Sequence, residues 1–425
     1  MNIQALRGTT DLLGEPLNRW AALEHTVKRL CRVYGYQEIR TPIIEDAALF
    51  LRTIGEQTDI VQKEMFQFKD RGDHAIVLRP EGTAAVVRAY LEHNLDKTEG
   101  FSKLYYLGPM FRAERPQAGR FRQFHQFGVE AIGSYSPWVD VEAISLCVRI
   151  LQACGVKEMM VWLASMGCRP DQQRSAEALR KRLEPNRNKL CQDCQKRFDK
   201  NIFRVLDCKN PTCHELAWAF KGSPFLLCED CTKHFDTVRL GLKESKIAFE
   251  DTHTFARGLD YYTQTVFEVR SQGLGAQDAV AAGGRYNHLV EDLGGAAMGA
   301  VGFAAGIERA LMARQAQGKE ETPASRRGVY LAVAQAQLTS QGFQMVNQLR
   351  SEGVFAITDY DGRSLKAQLR EADKAHCRFV AIFGEAELKA RTMTLKDLEA
   401  KTQESIPLDQ FTQVVSQRLK GACHL

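Results

Sequence analysis

Two aromatic, β-prone runs, KLYYLGPMFR and FRQFHQFGVEAIG, stand on either side of the polar loop AERPQAG. Pro116 and Gly119 mark that loop as a turn, so the two runs read as a long antiparallel hairpin. Between Phe111 and Glu130 this hairpin carries four arginines, four phenylalanines and one histidine. Guanidinium groups engage phosphate oxygens in bidentate fashion, and an aromatic ring stacks on a base. Arg112, Glu114, Arg115, Arg120 and Arg122 beside Phe121 and Phe124 therefore suit a nucleoside triphosphate. A solvated, salt-bridged hairpin is the alternative. The chain has no P-loop and no GxGxxG after a strand, so any ATP must be held by arginines.

The remaining segments fall into recognisable elements. Residues 18–34 repeat apolar side chains at Trp20, Leu23, Val27, Leu30 and Cys31, the stripe of an amphipathic helix. GYQEIRTPIIED reads as strand, with Pro42 confining it to an edge, an end or an interface. AIVLRPEGTAAVVRAYLEH is a strand through Leu78, a turn at RPEG, and a helix with Thr83 as a capping residue. TVFEVRS and DAVAAGGRYNHLV are further strands, and GAVGFAAGIERALMAR passes from a Gly-rich stretch into a helix. In RPEGT, Glu81 could receive an ammonium group or cap the helix. Tyr261 and Tyr262 are adjacent, so in extended chain one would be core and the other a pocket wall. The glycines of AAGGRYN admit a close ligand or a β-bulge.

At 425 residues the chain exceeds one ordinary core, and its periodicity changes after the polar linker QAQGKEETPASRRG. GVYLAVA, VFAITDY and RFVAIFG alternate with helical stretches, a βαβαβ pattern for a separate α/β domain over 328–425. The N-terminus lacks the apolar run of a secretory signal, and no window approaches a membrane span, so a cytoplasmic protein is expected.

The net charge of +5 resides in one segment. Residues 168–245 hold 16 Lys and Arg against 11 Asp and Glu, while the rest of the chain has 41 of each sign. Such a surplus fits either a solvated surface or a patch facing a polyanion such as RNA. The same segment contains the CxxC pairs Cys191/Cys194 and Cys228/Cys231, with Cys208 and Cys213 between them. Two CxxC pairs can set four thiolates around one Zn2+; six small buried thiols are the alternative, since disulfides are rare in the cytoplasm.

Taken together, these motifs resemble class II aminoacyl-tRNA synthetases, and within them the bacterial histidyl-tRNA synthetase family, over essentially the whole chain. GYQEIRTPIIED is similar to motif 1 of that class, FRAERPQAGRFRQFHQFG to motif 2, and GAVGFAAGIERAL to motif 3. RGTTD, RPEGT, RGLDYYTQTVFEV and AAGGRYN resemble elements particular to the histidyl family and its relatives. The class I HIGH-like and KMSKS-like segments are not found.

The resemblance implies an α+β catalytic domain on an antiparallel sheet (1–167 and 246–315), an inserted, mostly helical domain (168–245), a linker (316–327) and an α/β anticodon-binding domain (328–425). It implies ATP-dependent activation of L-histidine and its transfer to the 3′ end of tRNA(His) by a homodimer, with Mg2+ accompanying ATP. Glu81, Thr83 and Gln126 would hold the α-ammonium of histidine. Glu130 and Tyr262 would pair with the imidazole nitrogens, with Tyr261 beside them, and leaving such groups unpaired would reject other amino acids. Arg112 would bind the α-phosphate, Glu114 and Phe124 the adenine, and Arg120 and Arg309 the distal phosphates. Arg257 would stabilise the charge that builds at the transition state. Arg115 and Gln117 would contact the tRNA acceptor end. A rival resemblance is to the synthetase-like regulatory subunit of ATP phosphoribosyltransferase, which typically lacks the anticodon domain.

Overall fold

The computed structural model describes residues 3–55, 58, 60–116, 119–206, 208–218, 223–252, 260–275, 278–318 and 326–420. The chain divides into two compact units, 1–319 and 320–425. Among the described residues no helix is long and apolar enough to cross a membrane.

The N-terminal unit is organised by the hairpin. Ser102–Phe111 and Gln123–Ile132 pair antiparallel along their full length, from Ser102 against Ile132 to Phe111 against Gln123. Next to them in the sheet lie Ala300–Gly306, Ala279–Arg285, Thr263–Ser271 and Met159–Ser165, each antiparallel to its neighbour. Short strands at the two edges, Gln37–Glu38 and Phe249–Asp251, pair parallel and complete eight strands. The antiparallel expectation therefore holds for the six central strands.

GYQEIRTPIIED does not form one strand. Gln37–Glu38 joins the large sheet, whereas Ile44–Asp46 joins a separate three-stranded sheet with Ala75–Leu78 and Phe66–Lys69. Pro42 lies in the break between them, where its missing N–H costs no ladder hydrogen bond. Arg79, buried at the end of Ala75–Leu78, ties this sheet to the hairpin: it donates to the carbonyls of Thr41 at 3.0 Å and Pro109 at 2.9 Å.

One face of the large sheet is covered by the helices Gly14–Val33, Pro137–Ala153 and Ile307–Ala316. Trp20, Leu23, Val27, Phe127, Val129, Ile144, Phe267, Val301 and Ala310 form a single core with them. The helix Glu229–Glu244 belongs to this layer too, placing Phe235, Val238 and Leu242 in the same core. The rest of the 168–245 segment builds a small core of its own around Leu179, Leu183, Leu190, Phe198, Ile202 and Val205.

The C-terminal unit bears out the βαβαβ pattern and extends it. Arg327–Val333 is flanked by Ala356–Thr358 and Cys377–Phe383, all parallel, and Thr392–Asp397 and Thr402–Pro407 add two antiparallel strands. Helices Thr339–Ser351, Leu365–Lys374 and Phe411–Lys420 accompany this sheet.

Candidate active site

Side chains alternate across a strand, so Gln123–Ile132 presents two chemistries. Phe127, Val129 and Ala131 enter the helix-covered core, whereas Phe124, Gln126 and Glu130 are on the opposite face. That face opens into a cavity of about 320 Å³. Its wall brings together Glu81, Thr83, Arg112, Glu114, Arg120, Phe124, Gln126, Tyr261, Tyr262 and Arg309 from four separate sequence segments.

The cavity is chemically divided. One group of lining residues is acidic and neutral polar. Glu81, buried at the start of the helix Thr83–Glu92, accepts the backbone N–H of Thr83 at 2.6 Å and of Ala84 at 2.9 Å. Its burial raises the carboxyl above the ordinary range, while those N–H groups and the Arg112 guanidinium pull it back. Gln126 Oε1 is buried with no hydrogen-bond partner among the described residues. An unpaired buried acceptor is costly in the free protein and becomes useful when a donor arrives.

Glu130 lies behind the wall, fully buried. One carboxylate oxygen accepts the Thr83 hydroxyl at 2.7 Å and the other accepts the Tyr286 hydroxyl. Burial pushes its carboxyl up to about 8, against the opposing effect of those two hydrogen bonds. In its ionised form two of its roughly four acceptor sites remain for a further donor. Gly302 on the neighbouring strand makes room for this carboxylate: a Cβ there would meet Glu130 Oε2 at 2.0 Å.

The other group is cationic. Arg112 donates from Nε to the Pro80 carbonyl at 3.1 Å, and its guanidinium lies 5.2 Å over the Phe124 ring. Arg120 pairs with Glu114 at 3.0 Å. Arg309 donates to the Ala279 carbonyl at 2.7 Å and is itself part-buried. A lining that holds three guanidiniums together with Glu81, with Glu130 buried behind it, can take a ligand that carries both phosphates and an ammonium group.

Several expectations change in detail. Thr83 is not the helix cap: Gly82 occupies that position, and Glu81 satisfies the first N–H groups. The Thr83 hydroxyl is thereby left for Glu130. Gly82 itself is required, because a Cβ would meet the Tyr106 ring at 2.4 Å. Tyr261 and Tyr262 do not face opposite ways. Tyr261 lies in a turn rather than in extended chain, and both rings line the cavity with centroids 4.9 Å apart. The glycines of AAGGRYN serve strand packing rather than ligand approach, since a Cβ on Gly283 would meet the Gly302 carbonyl at 2.3 Å. A register shift between Gly284 and Arg285 supplies the β-bulge. Arg285 is wholly buried in an ion pair with Asp140 at 2.6 Å.

Sequence reasoning passed over Tyr286 and Glu308. Tyr286 stands beside two glycines in the motif, and only the sheet shows that its hydroxyl reaches Glu130. Glu308 lines the cavity and accepts the His125 N–H with both oxygens at 3.0 Å. Arg115 is exposed and outside the cavity wall. Arg257 and Gln117 lie outside the described residues.

The cysteine expectation is corrected. Cys191/Cys194 and Cys228/Cys231 do not converge; they belong to two separate groups, Cys191, Cys194, Cys208 and Cys213, and Cys168, Asp171, Cys228 and Cys231. Each CxxC opens a different helix, Gln192–Lys200 and Glu229–Glu244, and the second helix is anchored in the main core. CxxC spacing determines two ligands of one turn, whereas helix packing decides which other ligands meet them.

Comparison with known proteins gives a consistent picture. The histidyl-tRNA synthetase family matches residues 8–184 and 232–310, and the anticodon-binding domain family matches 328–418. A histidine–tRNA ligase of Desulfitobacterium hafniense is 46% identical over 421 residues, 99% of both chains. One from Desulforamulus reducens is 42% identical over 412 residues, covering 97% of this chain and 98% of its own. The crystal structure of apo histidyl-tRNA synthetase from S. aureus superposes with a TM-score of 0.82 at 34% identity, covering 98% of this chain and all of the other.

Proposed function

The chain belongs to the histidyl-tRNA synthetase family, and from that premise we propose that it activates L-histidine with ATP to histidyl-adenylate and transfers the histidyl group to the 3′ end of tRNA(His). One observation carries the reading to the level of chemistry: the Gln126 acceptor, without a partner among the described residues, and the Glu81 carboxyl line one cavity with three arginines. Glu81, Thr83 and Gln126 receive the α-ammonium of histidine. Glu130 and the Tyr262 hydroxyl take the two imidazole nitrogens, with Tyr261 closing the pocket. Because Thr83 and Tyr286 already orient Glu130, an added donor stabilises its ionised form in a prepared position. A side chain without two polar ring nitrogens cannot complete the hydrogen bonding that Glu130 and Tyr262 offer the ligand, which supports discrimination of about 10⁴-fold or more.

ATP binds as its Mg2+ complex, with the ion accompanying pyrophosphate. Arg112 receives the α-phosphate, Glu114 the amino edge of adenine, Phe124 the adenine face, and Arg120 and Arg309 the distal phosphates. The carboxylate of histidine then attacks the α-phosphorus and pyrophosphate leaves. Arg257 stabilises the charge that builds there. The acyl group passes to the terminal ribose of the tRNA, whose acceptor end is met by Arg115 and Gln117.

The domains divide the work: 1–167 and 246–315 carry the chemistry, the basic insertion 168–245, whose last helix Glu229–Glu244 packs into the catalytic core, approaches the acceptor arm, and 328–425 reads the anticodon. The C-terminal charge is nearly balanced, 12 basic against 11 acidic residues from 328 on, so specific contacts carry that recognition. The protein works in the cytoplasm as a homodimer. Ile43 and Ile44 of motif 1, 41% and 50% exposed, support an apolar interface. Sedimentation as a monomer at micromolar concentration would remove the dimer. The anticodon-binding match at 328–418 favours the ligase over the regulatory subunit of ATP phosphoribosyltransferase.

The test is exchange of labelled pyrophosphate into ATP with each of the twenty amino acids and no tRNA. Exchange with histidine alone is expected. No exchange with any amino acid would transfer the reading to the regulatory subunit.

A further inference from the structure

The four thiols of Cys191, Cys194, Cys208 and Cys213 converge although they come from two turns of chain, and all four are free. Their sulfurs lie within 4.8 Å of one another, and the Cys191 and Cys208 sulfurs are 3.8 Å apart. Zinc binds thiolate at about 2.3 Å, and a tetrahedron of that size has an S···S edge of about 3.8 Å. We propose that these four cysteines form a closed, structural zinc site inside the insertion.

Three further observations point the same way. Backbone N–H groups are aimed at the sulfurs, Cys191 N–H at Cys213 Sγ (3.2 Å) and Asn210 N–H at Cys208 Sγ (3.5 Å), a pattern that stabilises thiolates. The unit around them is small, and Cys194, Cys208 and Cys213 occupy its interior beside Leu179, Leu190, Phe198 and Val205. A core of this size is usually stapled by a metal or by disulfides, and a metal meets that need in a reducing compartment. Zn2+ with four thiolates carries a net charge of −2, which the basic surplus of this segment offsets, with Lys189 and Lys209 close by in sequence.

The second group lacks this demand. Asp171 there already accepts the N–H groups of Cys168 at 3.3 Å and Cys228 at 3.1 Å on one oxygen and pairs with Arg174 on the other. It is a hydrogen-bonded knot joining the starts of two helices. The tetrathiolate site, by contrast, leaves its sulfurs facing one another.

The site also reaches the substrate pocket. The turn Ile202–Val205 lies between Cys194 and Cys208, and its Arg204 pairs with Asp260 at 2.6 Å, with Asn201 adding a bond at 3.2 Å. Asp260 directly precedes Tyr261 and Tyr262 of the cavity wall. Zinc therefore holds the turn that anchors those tyrosines. This consequence rests on the histidine-binding reading; the metal itself does not.

The experiment is elemental analysis of full-length protein purified under reducing conditions without chelator, together with cobalt substitution. About one zinc should be retained by each chain and by the Cys228→Ser variant, and lost in Cys194→Ser and Cys213→Ser. Should those variants fail to fold, Co2+ loaded into the unaltered protein should show the thiolate charge-transfer and tetrahedral ligand-field bands of a four-sulfur site. Chelation should lower Tm and raise the KM for histidine severalfold while leaving that for ATP unchanged. Absence of zinc with no cobalt–thiolate band, or zinc that leaves with Cys228→Ser but stays with Cys194→Ser, would overturn the proposal. A metal that is present but without effect on histidine KM would overturn only the link to the pocket.

Discussion

The two faces of the strand Gln123–Ile132 differ in chemistry: Phe127, Val129 and Ala131 are buried on one, while the other carries half-buried Phe124 and Gln126 and fully buried Glu130. On one face Phe127, Val129 and Ala131 lose their water to apolar neighbours, a gain of about 25 cal/mol for each Å² covered. On the other face Glu130 is equally inaccessible, and Gln126 keeps an acceptor without a partner among the described residues. The first face holds the sheet to its helices. The second keeps polar groups dry at a cost in stability, which is recovered when a ligand supplies the missing donors.

That contrast predicts that damage on one face changes stability and damage on the other changes recognition. The largest effect is expected for Glu81→Ala, which removes a carboxylate from the ammonium site: kcat/KM for histidine in pyrophosphate exchange should fall about 10⁴-fold. The protein should remain folded by circular dichroism, losing only about 1 kcal/mol with the helix cap. Exchange within tenfold of the unaltered protein would erase the distinction between the faces.

Phe267→Ala acts on the helix-covered side, where Phe267 is completely buried. It should cost about 3–5 kcal/mol in denaturant unfolding. The histidine KM of the folded protein should be unchanged; a raised KM would mean that core packing sets the pocket.

Glu130→Gln sharpens the comparison through pH. The carboxyl of Glu130 is held up to about 8 in the folded chain, whereas it ionises in the ordinary range when unfolded. The folded state therefore binds the proton more tightly. Its contribution to stability is complete below the unfolded value and is lost as pH rises through about 8. The glutamine variant should lose this slope, matching the unaltered protein near pH 5 and exceeding it at pH 9 by on the order of a few kcal/mol. Selectivity for histidine should drop at the same time. Equal pH slopes in the two proteins would show that Glu130 is ionised in the fold.

The smallest effect belongs to Arg115→Ala, on the exposed tip beyond either face. Histidine-dependent exchange should not change, while the KM for tRNA in aminoacylation should rise less than about tenfold, as befits one solvated cation. A drop in exchange would place Arg115 in the adenylate site instead.

Part of the pocket was legible because a hairpin gathers its own side chains: FRAERPQAGRFRQFHQFG set Arg112, Glu114, Arg120 and Phe124 together before any neighbour is known. Gln126, Glu130 and Arg309 entered only through the resemblance to the histidyl family. Thr83, Tyr261 and Tyr286 were harder to read because their roles depend on partners far away in the chain. Thr83 is available to Glu130 only because Glu81 caps the helix in its place, and Tyr286, just past the end of the strand Ala279–Arg285, reaches that carboxyl from 156 residues away. GYQEIRTPIIED was misread as one strand because alternation does not reveal that two halves enter different sheets.

The sequence by itself determined the antiparallel hairpin, the alternation of its faces, the change to an α/β pattern near residue 328 and the identities of the charged groups around the cavity. These follow from local periodicity and residue chemistry, which act over a few residues. Tertiary structure alone decided which cysteines meet, which hydroxyls hold Glu130 and which way the two adjacent tyrosines turn. Those outcomes depend on how separate helices and strands pack, and short-range spacing carries no information about a partner brought in from elsewhere in the chain.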